Sequence, residues 1–237
     1  MTNTYEYAGT ELSIFAGATN WKRYLARQLQ PFIHGHVLEV GAGIGATTSA
    51  LWTPVASQWT ALEPDSGLAD QMRDRFQVLE LDVAVRVGTV ADLQASDCFD
   101  TILYVDVLEH IEADAAELAA AARHLAPGGH LVVLSPAHQW LYSPFDGAVG
   151  HVRRYNSTQL ASVGPSSLAL TRLRYLDAVG LTASAANRYL LRHSTVTPSQ
   201  IAVWDRLMVP ISRVLDRCVA FRIGKSVLAV WHRPTGQ

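Results

Sequence analysis

The sequence predicts an α/β fold, a doubly wound and mostly parallel seven-stranded sheet with an N-terminal helical cap and a helical insertion before the last strand. Three observations predict it. Short apolar runs alternate with helical spacings between residues 36 and 135, the pattern of parallel strands buried on both faces. The first run leads directly into Gly41, Gly43 and Gly45, a strand-to-helix turn. The alternation then changes, after residue 165, to two strand-like runs with two apolar helical stretches between them.

The elements follow in order. Trp21, Tyr24, Leu25 and Leu29 share one side of a helix. His36–Val40 reads as a strand, Ala46–Leu51 as a helix, Trp59–Glu63 as a strand, and Gly67–Phe76 as a helix. Val85–Val90 and Thr101–Val105 read as the third and fourth strands. Asp114–Leu125 is alanine-rich and helix-forming, and Pro127-Gly128-Gly129 is read as its stop and a turn. His130–Ser135 is the fifth strand, and Leu168–Tyr175 and Ser226–Trp231 the last two. Between these lie the helices Ala178–Leu191 and Ser199–Ala220, separated near Pro198. One domain over 1–237 is expected: a cap over 1–34, a cofactor-binding core over 35–165, and last strands over 166–237 with an insertion at about 178–220.

Composition narrows the function. Nineteen basic residues stand against 21 acidic ones, so charge gives no reason to expect a nucleic-acid partner. Cys98 and Cys218 lack any metal-type spacing and read as free thiols; no metal is expected. No signal-peptide pattern and no run of about 20 apolar residues is seen, so a cytoplasmic protein without a membrane span is expected.

Glu39-Val40-Gly41-Ala42-Gly43-Ile44-Gly45 has glycine at every second position between a strand and a helix. Glycine allows a sharp turn and close approach of a ligand, and the first strand-to-helix junction is where such sheets bind ligands. Glu63 ends the next strand, where a carboxylate can accept both hydroxyls of a ribose. The spacing is G-x-G-x-G and not the G-x-G-x-x-G of dinucleotide sites. The flanking Glu39 would repel a pyrophosphate and suit an ammonium group. S-adenosylmethionine carries an ammonium and a sulfonium and no phosphate, so the charge logic favours it.

On these residues the chain resembles the class I, Rossmann-like S-adenosylmethionine-dependent methyltransferases. Glu39-x-Gly41-x-Gly43-x-Gly45 is similar to their first motif and Leu62-Glu63-Pro64-Asp65 to their second. Phe99–Leu103, Val107–Ile111 and Leu125–Leu131 are similar to the regions around their fourth and fifth strands. The resemblance implies that Glu39, Gly41, Ala42, Gly43 and Gly45 surround the methionine portion. It also implies that Glu63 and Pro64 hold the ribose and that Thr89, Val90, Ala91 and Asp92 border the adenine. The sequence departs from the pattern where Thr89, not an acid, follows Gly88; Asp92 lies three residues on. Tyr104 and Asp106 end the fourth strand, where they would meet the sulfonium end, although Asp106 also fits a helix N-cap. The product would be S-adenosylhomocysteine.

Methyl transfer needs mainly alignment, and a base only where the acceptor must lose a proton. The segment Ser135–Tyr155 follows the fifth strand and is rich in His, Trp, Tyr, Asp and Arg. Its P-A-H-x-x-L-Y-S-x-x-D…G-H-x-R-R-Y pattern resembles a subgroup of bacterial small-molecule or lipid-type methyltransferases. His138 and His151 are candidate bases or acceptor-positioning groups, each with a packing role as the alternative. Tyr142, Asp146 and Arg154 are expected to shape the pocket; Arg153 and Arg154 would hold an anionic acceptor or pair with nearby acids. Tyr5, Tyr7 and Phe15, with the insertion's Tyr189, Leu190, Trp204, Leu207 and Ile211, are expected to form lid and acceptor wall. The insertion's apolar face is an acceptor tunnel, a homodimer face or a patch for peripheral membrane contact. An enzyme methylating an apolar or amphiphilic small molecule leads. A binding protein without turnover, or a protein or nucleic-acid methyltransferase, are the alternatives.

Overall fold

The computed structural model describes residue 7, residues 11–191 and residues 195–235. Tyr5 and the side chain of Leu190 fall outside what it describes. Strands β1 (Gly35–Val40), β2 (Ala56–Glu63), β3 (Ala84–Val87), β4 (Phe99–Val105), β5 (Leu125–Pro136), β6 (Ala169–Leu176) and β7 (Ser226–His232) form one sheet. Its order is β3-β2-β1-β4-β5-β7-β6. The first five strands are mutually parallel, and β7 runs antiparallel to both β5 and β6. The strand order reverses between β1 and β4, so the carboxyl ends of these two strands flank a crevice.

Alternation along the strands fills both faces. Leu38, Ile102, Tyr104, Leu131, Val133 and Ala229 belong to one buried cluster, which α5 (Asp114–Arg123) covers with Leu118 and Ala121. Val37, Leu103, Val132, Leu134, Leu228 and Val230 face the other way. There they meet Trp21 and Leu25 of α2 (Thr19–Leu29) and residues of the insertion. The cap also contains α1 (Leu12–Ala16), and α3 (Ala46–Leu51) and α4 (Ser66–Val78) follow β1 and β2. The segment after β5 holds α6 (Pro144–Ala148) and α7 (Ser157–Ser162).

Among the boundaries that differ from the sequence reading, two have a clear local cause. The third strand ends at Val87, not Val90. Gly88 turns the chain at φ 146°, and Thr89–Asp92 closes into a capped 3-10 turn. Pro127-Gly128-Gly129 lies inside the twelve-residue β5. Leu125 already pairs with Phe99, and Gly128 and Gly129 exchange backbone bonds with Arg233. Composition marks these residues as a turn, but the neighbouring chain supplies ladder partners that recruit them into the strand.

The insertion lies between β6 and β7 as expected. Helix α8 (Ala178–Ala186) continues as a π-helical turn over Asn187–Leu191. Helix α9 (Pro198–Val203) passes through a second π-helical turn (Trp204–Met208) into α10 (Val209–Cys218). Pro210 lacks an N–H and its ring crowds the carbonyl four residues back, which accounts for the widened turn before it. Buried acids fasten the insertion to the cap. Asp205 accepts from the backbone N–H groups of Asn20 and Trp21, at 3.1 and 2.8 Å. Asp216 accepts from the Tyr24 hydroxyl at 2.6 Å and from the N–H groups of Asp177 and Ala178.

Candidate active site

A cavity of about 680 Å³ lies over the β1/β4 crevice. Its floor is the glycine loop with Asp106, one wall is the segment after β5, and its roof is the cap and the insertion.

The loop's glycines are required by its shape. Gly41 has φ +66°, and a Cβ there would come within 2.7 Å of Val107. Gly45 has φ +71°, and its Cβ would strike Phe76 at 2.7 Å. Gly43, also left-handed at φ +57°, faces Leu12 of the cap at 3.5 Å. Gly41, Ala42 and Gly43 line the cavity, and so does Glu39, which is 2% exposed and has no partner for Oε2. Burial pushes Glu39 up to about 7, with Thr48 and Trp59 pulling the other way. A buried acceptor without a donor is costly, and an ammonium group would satisfy this one.

Glu63 is buried beside the cavity, not in its lining. It accepts the N–H of Gly43 at 2.7 Å and of Asp65 at 3.0 Å, tying the loop to the end of β2. Burial raises its pKa and these two bonds lower it. Two bonds leave a carboxylate further lone pairs for hydroxyl donors. Pro64 follows, outside the cavity lining, and the Tyr7 N–H donates to Asp65 at 2.8 Å, bringing Tyr7 to this side. Tyr7 and Phe15 both line the cavity. Thr89, Val90, Ala91 and Asp92 form the 3-10 turn after β3, outside the cavity lining. The Asp92 carboxylate caps this turn, accepting from Thr89 N and Oγ1 at 2.8 and 2.9 Å. Tyr104 points to the opposite side of the sheet, its hydroxyl donating to Glu117 at 2.8 Å.

Asp106 stands in the left-handed conformation, φ 55°, and its side chain lines the cavity. Enclosure by protein raises its pKa, opposed by His151, Lys225, Arg154 and Lys22. The residues expected after β5 separate into two groups. His151 and Arg154 line the cavity, and Asp146, fully buried, joins them. It accepts His151 Nδ1 at 2.8 Å, Arg154 Nε and Nη2 at 2.8 and 3.0 Å, and Ser143 N and Oγ at 2.8 and 3.0 Å. Burial alone would raise Asp146, but the bonds from His151 and Arg154 hold it down to about 2. Tyr142 donates to the His151 carbonyl at 2.6 Å and so braces that residue from behind. His138 is elsewhere. It stacks on Tyr175 at 4.9 Å, and its Nε2 bonds the Gly224 carbonyl at 3.0 Å, away from the cavity lining. Arg153 pairs with Asp114, so both arginines are held by acids.

Sequence reasoning placed Glu109 in the family-like stretch Val107–Ile111 without assigning it a role, and did not single out Lys22 or Lys225 for the site. Glu109 is fully buried, neither carboxylate oxygen has a hydrogen-bond partner, and burial together with Asp106 holds its pKa well above the usual range. Burial lowers Lys22 to about 8. Lys225 lies over the Trp204 ring at 3.7 Å, with Asp177 at 3.6 Å. Only the adjacency of Glu109 to the fourth-strand end hinted at its place; the lysines give no local signal.

The fold and loop agree with comparisons to known proteins. Residues 38–133 match the family model described as a methyltransferase domain. A ubiquinone biosynthesis O-methyltransferase of Alkalilimnicola ehrlichii is 29% identical over 111 residues, 46% of this chain and 44% of that protein. A probable ribosomal RNA small subunit methyltransferase A of Halobacterium salinarum is 41% identical over 71 residues, 28% of this chain and 25% of that protein. The chain spans between a quarter and just over half the length of the curated relatives it matches. In fold it is similar to the N-methyltransferase NodS of Bradyrhizobium japonicum, with TM-score 0.58 and 15% identity over 93% of this chain and 99% of that one. The residues at the methionine end of the loop, with the unpartnered Glu39 and the left-handed Gly41 and Gly43, fit S-adenosylmethionine. Residues 38–133 thus resemble a methyltransferase domain, and the chain shares the Rossmann-like fold of solved methyltransferases.

Proposed function

We propose that the protein transfers the methyl group of S-adenosyl-L-methionine to a small apolar or amphiphilic acceptor held in the 680 Å³ cavity, releasing S-adenosyl-L-homocysteine. The observation that carries this reading is the buried Oε2 of Glu39, which has no hydrogen-bond partner and sits with the glycine loop in the lining of the cavity. The cavity size is that of ordinary small-molecule sites. Its far wall is largely apolar, with Phe145, Val149, Val196, Ile201, Trp204 and Met208. The resemblance in sequence to a ubiquinone biosynthesis enzyme supports an acceptor of this character. Near-balanced charge does not favour a nucleic acid.

When bound, the cofactor supplies a methyl group already activated on a sulfonium. The acceptor's nucleophilic atom bonds the methyl carbon as the sulfur–methyl bond breaks, and the sulfur electron pair stays on a neutral thioether. Glu39 would hold the ammonium, Gly41 and Gly43 would let the backbone approach, and Asp146 would fix His151 and Arg154 against the acceptor. A hydroxyl acceptor also gives up a proton, for which Asp106 and His151 are the candidate recipients facing the cavity. His138, stacked on Tyr175 and bonded to the Gly224 carbonyl, braces the wall. His151→Ala is expected to keep cofactor affinity and lose turnover; undiminished turnover would remove His151 from the chemistry.

The insertion favours an acceptor met at a lipid surface. Val203, Leu207, Ile211 and Val214 are exposed along α9, the π-helical turn after it and α10, with Arg206, Arg213 and Arg217 in the same run. An apolar stripe with basic neighbours suits an anionic bilayer. Among the described residues no helix is long and apolar enough to cross a membrane. Calorimetry with S-adenosylmethionine tests the cofactor, and a screen of acceptors with labelled methyl donor tests turnover. Binding without transfer to any acceptor would favour a ligand-responsive partner protein instead.

A further inference from the structure

We infer that Glu109, His110 and His151 form a binding site for a first-row divalent cation at the acceptor end of the cavity. The three residues bring one oxygen and two imidazole nitrogens within 4.8 Å of one another, and all three line the cavity. Their spacing in the chain gives no metal signature: two are neighbours and the third comes 41 positions after His110. The fold alone assembles them.

Glu109 is the observation that points to a ligand. Its side chain is fully buried, yet neither carboxylate oxygen has a hydrogen-bond partner. His151 Nε2 is 3.8 Å from Oε1, beyond hydrogen-bond reach, and the Ser135 hydroxyl, which likewise has no hydrogen-bond partner, also acts on the carboxylate. A carboxyl group so placed is either held neutral at a cost or faces a cation. The imidazoles are set up for the second. His151 has its outer nitrogen, Nδ1, bonded to Asp146 at 2.8 Å, so Nε2 is directed toward Glu109. An outer nitrogen held by a carboxylate, with the inner one left for the ion, is how metal-binding histidines are oriented. His110 stands edge-on to His151, with ring centroids 4.7 Å apart and planes at 80°. The backbone of Gly150 lies beside its Nδ1, where a Cβ on that glycine would be 3.6 Å away. Two imidazoles thus converge on one carboxylate from different directions.

Neighbouring ligand atoms around an ion at about 2.1 Å are about 3.0–3.4 Å apart in tetrahedral or octahedral sites, so the set draws together by about 1 Å on binding. Two nitrogens and one carboxylate oxygen suit Mn²⁺, Fe²⁺, Co²⁺ or Zn²⁺ better than Mg²⁺ or Ca²⁺, and three protein ligands leave positions open. An acceptor oxygen entering an open position would be oriented and made easier to deprotonate. With the ion present, His151 is a ligand, which leaves Asp106 as the carboxylate facing the acceptor. The ion's role in methyl transfer rests on the proposed function; its binding does not.

The test uses the full chain after dialysis against a chelator. Mn²⁺ titrated by electron paramagnetic resonance and Zn²⁺ by calorimetry should each saturate at one ion per chain. Glu109→Gln, which keeps side-chain size, and His110→Asn should each weaken binding at least tenfold, with S-adenosylmethionine affinity as the check on folding. Absence of saturable Mn²⁺ and Zn²⁺ binding in a wild type that binds S-adenosylmethionine would overturn the site. Ion affinity equal to that of the wild type in both variants would also overturn it, by placing the ion elsewhere. Ion binding lost in both variants of a protein that never binds S-adenosylmethionine would keep the metal site and sink the methyltransferase reading.

Discussion

Two buried carboxylates serve the cavity, Asp146 behind the lining residues His151 and Arg154 and Glu39 in the lining itself, and the fold treats them in opposite ways. Asp146 is surrounded by donors, with Ser143, His151 and Arg154 all bonded to it, and is held down to about 2. Glu39 is nearly as buried but has an oxygen with no donor, and burial pushes it up to about 7. The first is satisfied within the protein and organises its neighbours. The second is left incomplete, at a cost to stability, where a cationic ligand group would complete it. Folding and binding should therefore separate when each acid is removed.

The largest effect is expected at Asp146. Asp146→Ala leaves Arg154 and His151 without their shared acceptor, and breaking such a buried pair costs about 3–5 kcal/mol. Chemical denaturation should show this loss, while S-adenosylmethionine still binds to the fraction that folds. A variant as stable as wild type would contradict the organising role.

Next in size is Glu39→Gln, which removes a charge-assisted contact to the ligand. Cofactor affinity should fall by about 10- to 100-fold, as expected for a hydrogen bond to a charged group worth about 1.5–3 kcal/mol. Stability should move the other way. Between the ordinary value of 4.5 and about 7, folded Glu39 keeps a proton that the unfolded chain has lost, so stability falls as pH rises through that window. The cost reaches about 3 kcal/mol above pH 7. At pH 8, Glu39→Gln should melt no lower than wild type in the absence of ligand.

The same group gives a smaller, graded effect on binding. Below about pH 7 Glu39 must release its proton before it can pair with the ammonium. Cofactor affinity should drop by about tenfold between pH 7.5 and 6, and Glu39→Gln should flatten that profile. The smallest effect is expected on the outer face of the insertion. Ile211→Ser should change stability by about 0.5 kcal/mol or less, yet reduce co-sedimentation with anionic liposomes. Wild-type protein that stays in the supernatant would remove the lipid-surface reading.

Much of the parallel half was legible because its signals are local. Strand alternation, the positions of Gly41, Gly43 and Gly45, and Glu63 at the end of β2 all follow from short-range pattern. The acceptor end was located but only partly resolved. His138 and His151 look equivalent in sequence, each in a polar segment after the fifth strand. Their roles diverge because Tyr175 on β6 captures one ring and Asp146 the other. Asp92 reads as an adenine contact by position, and the structure adds a capping role that spacing does not announce, its Oδ2 accepting from Thr89 N and Oγ1. Pro127-Gly128-Gly129 reads as a turn because its strand partners lie about a hundred residues away, around Arg233. Glu109 and Lys225 enter the cavity through contacts between elements distant in the chain, which no single-sequence spacing records.

The most direct test of the central claim is calorimetric titration of the wild type and Glu39→Gln with S-adenosylmethionine and, separately, with NAD at pH 7.5. The account predicts one S-adenosylmethionine site per chain, weakened by the substitution, and no saturable NAD binding. Saturable binding of NAD without S-adenosylmethionine binding, or S-adenosylmethionine affinity indifferent to Glu39→Gln, would contradict it.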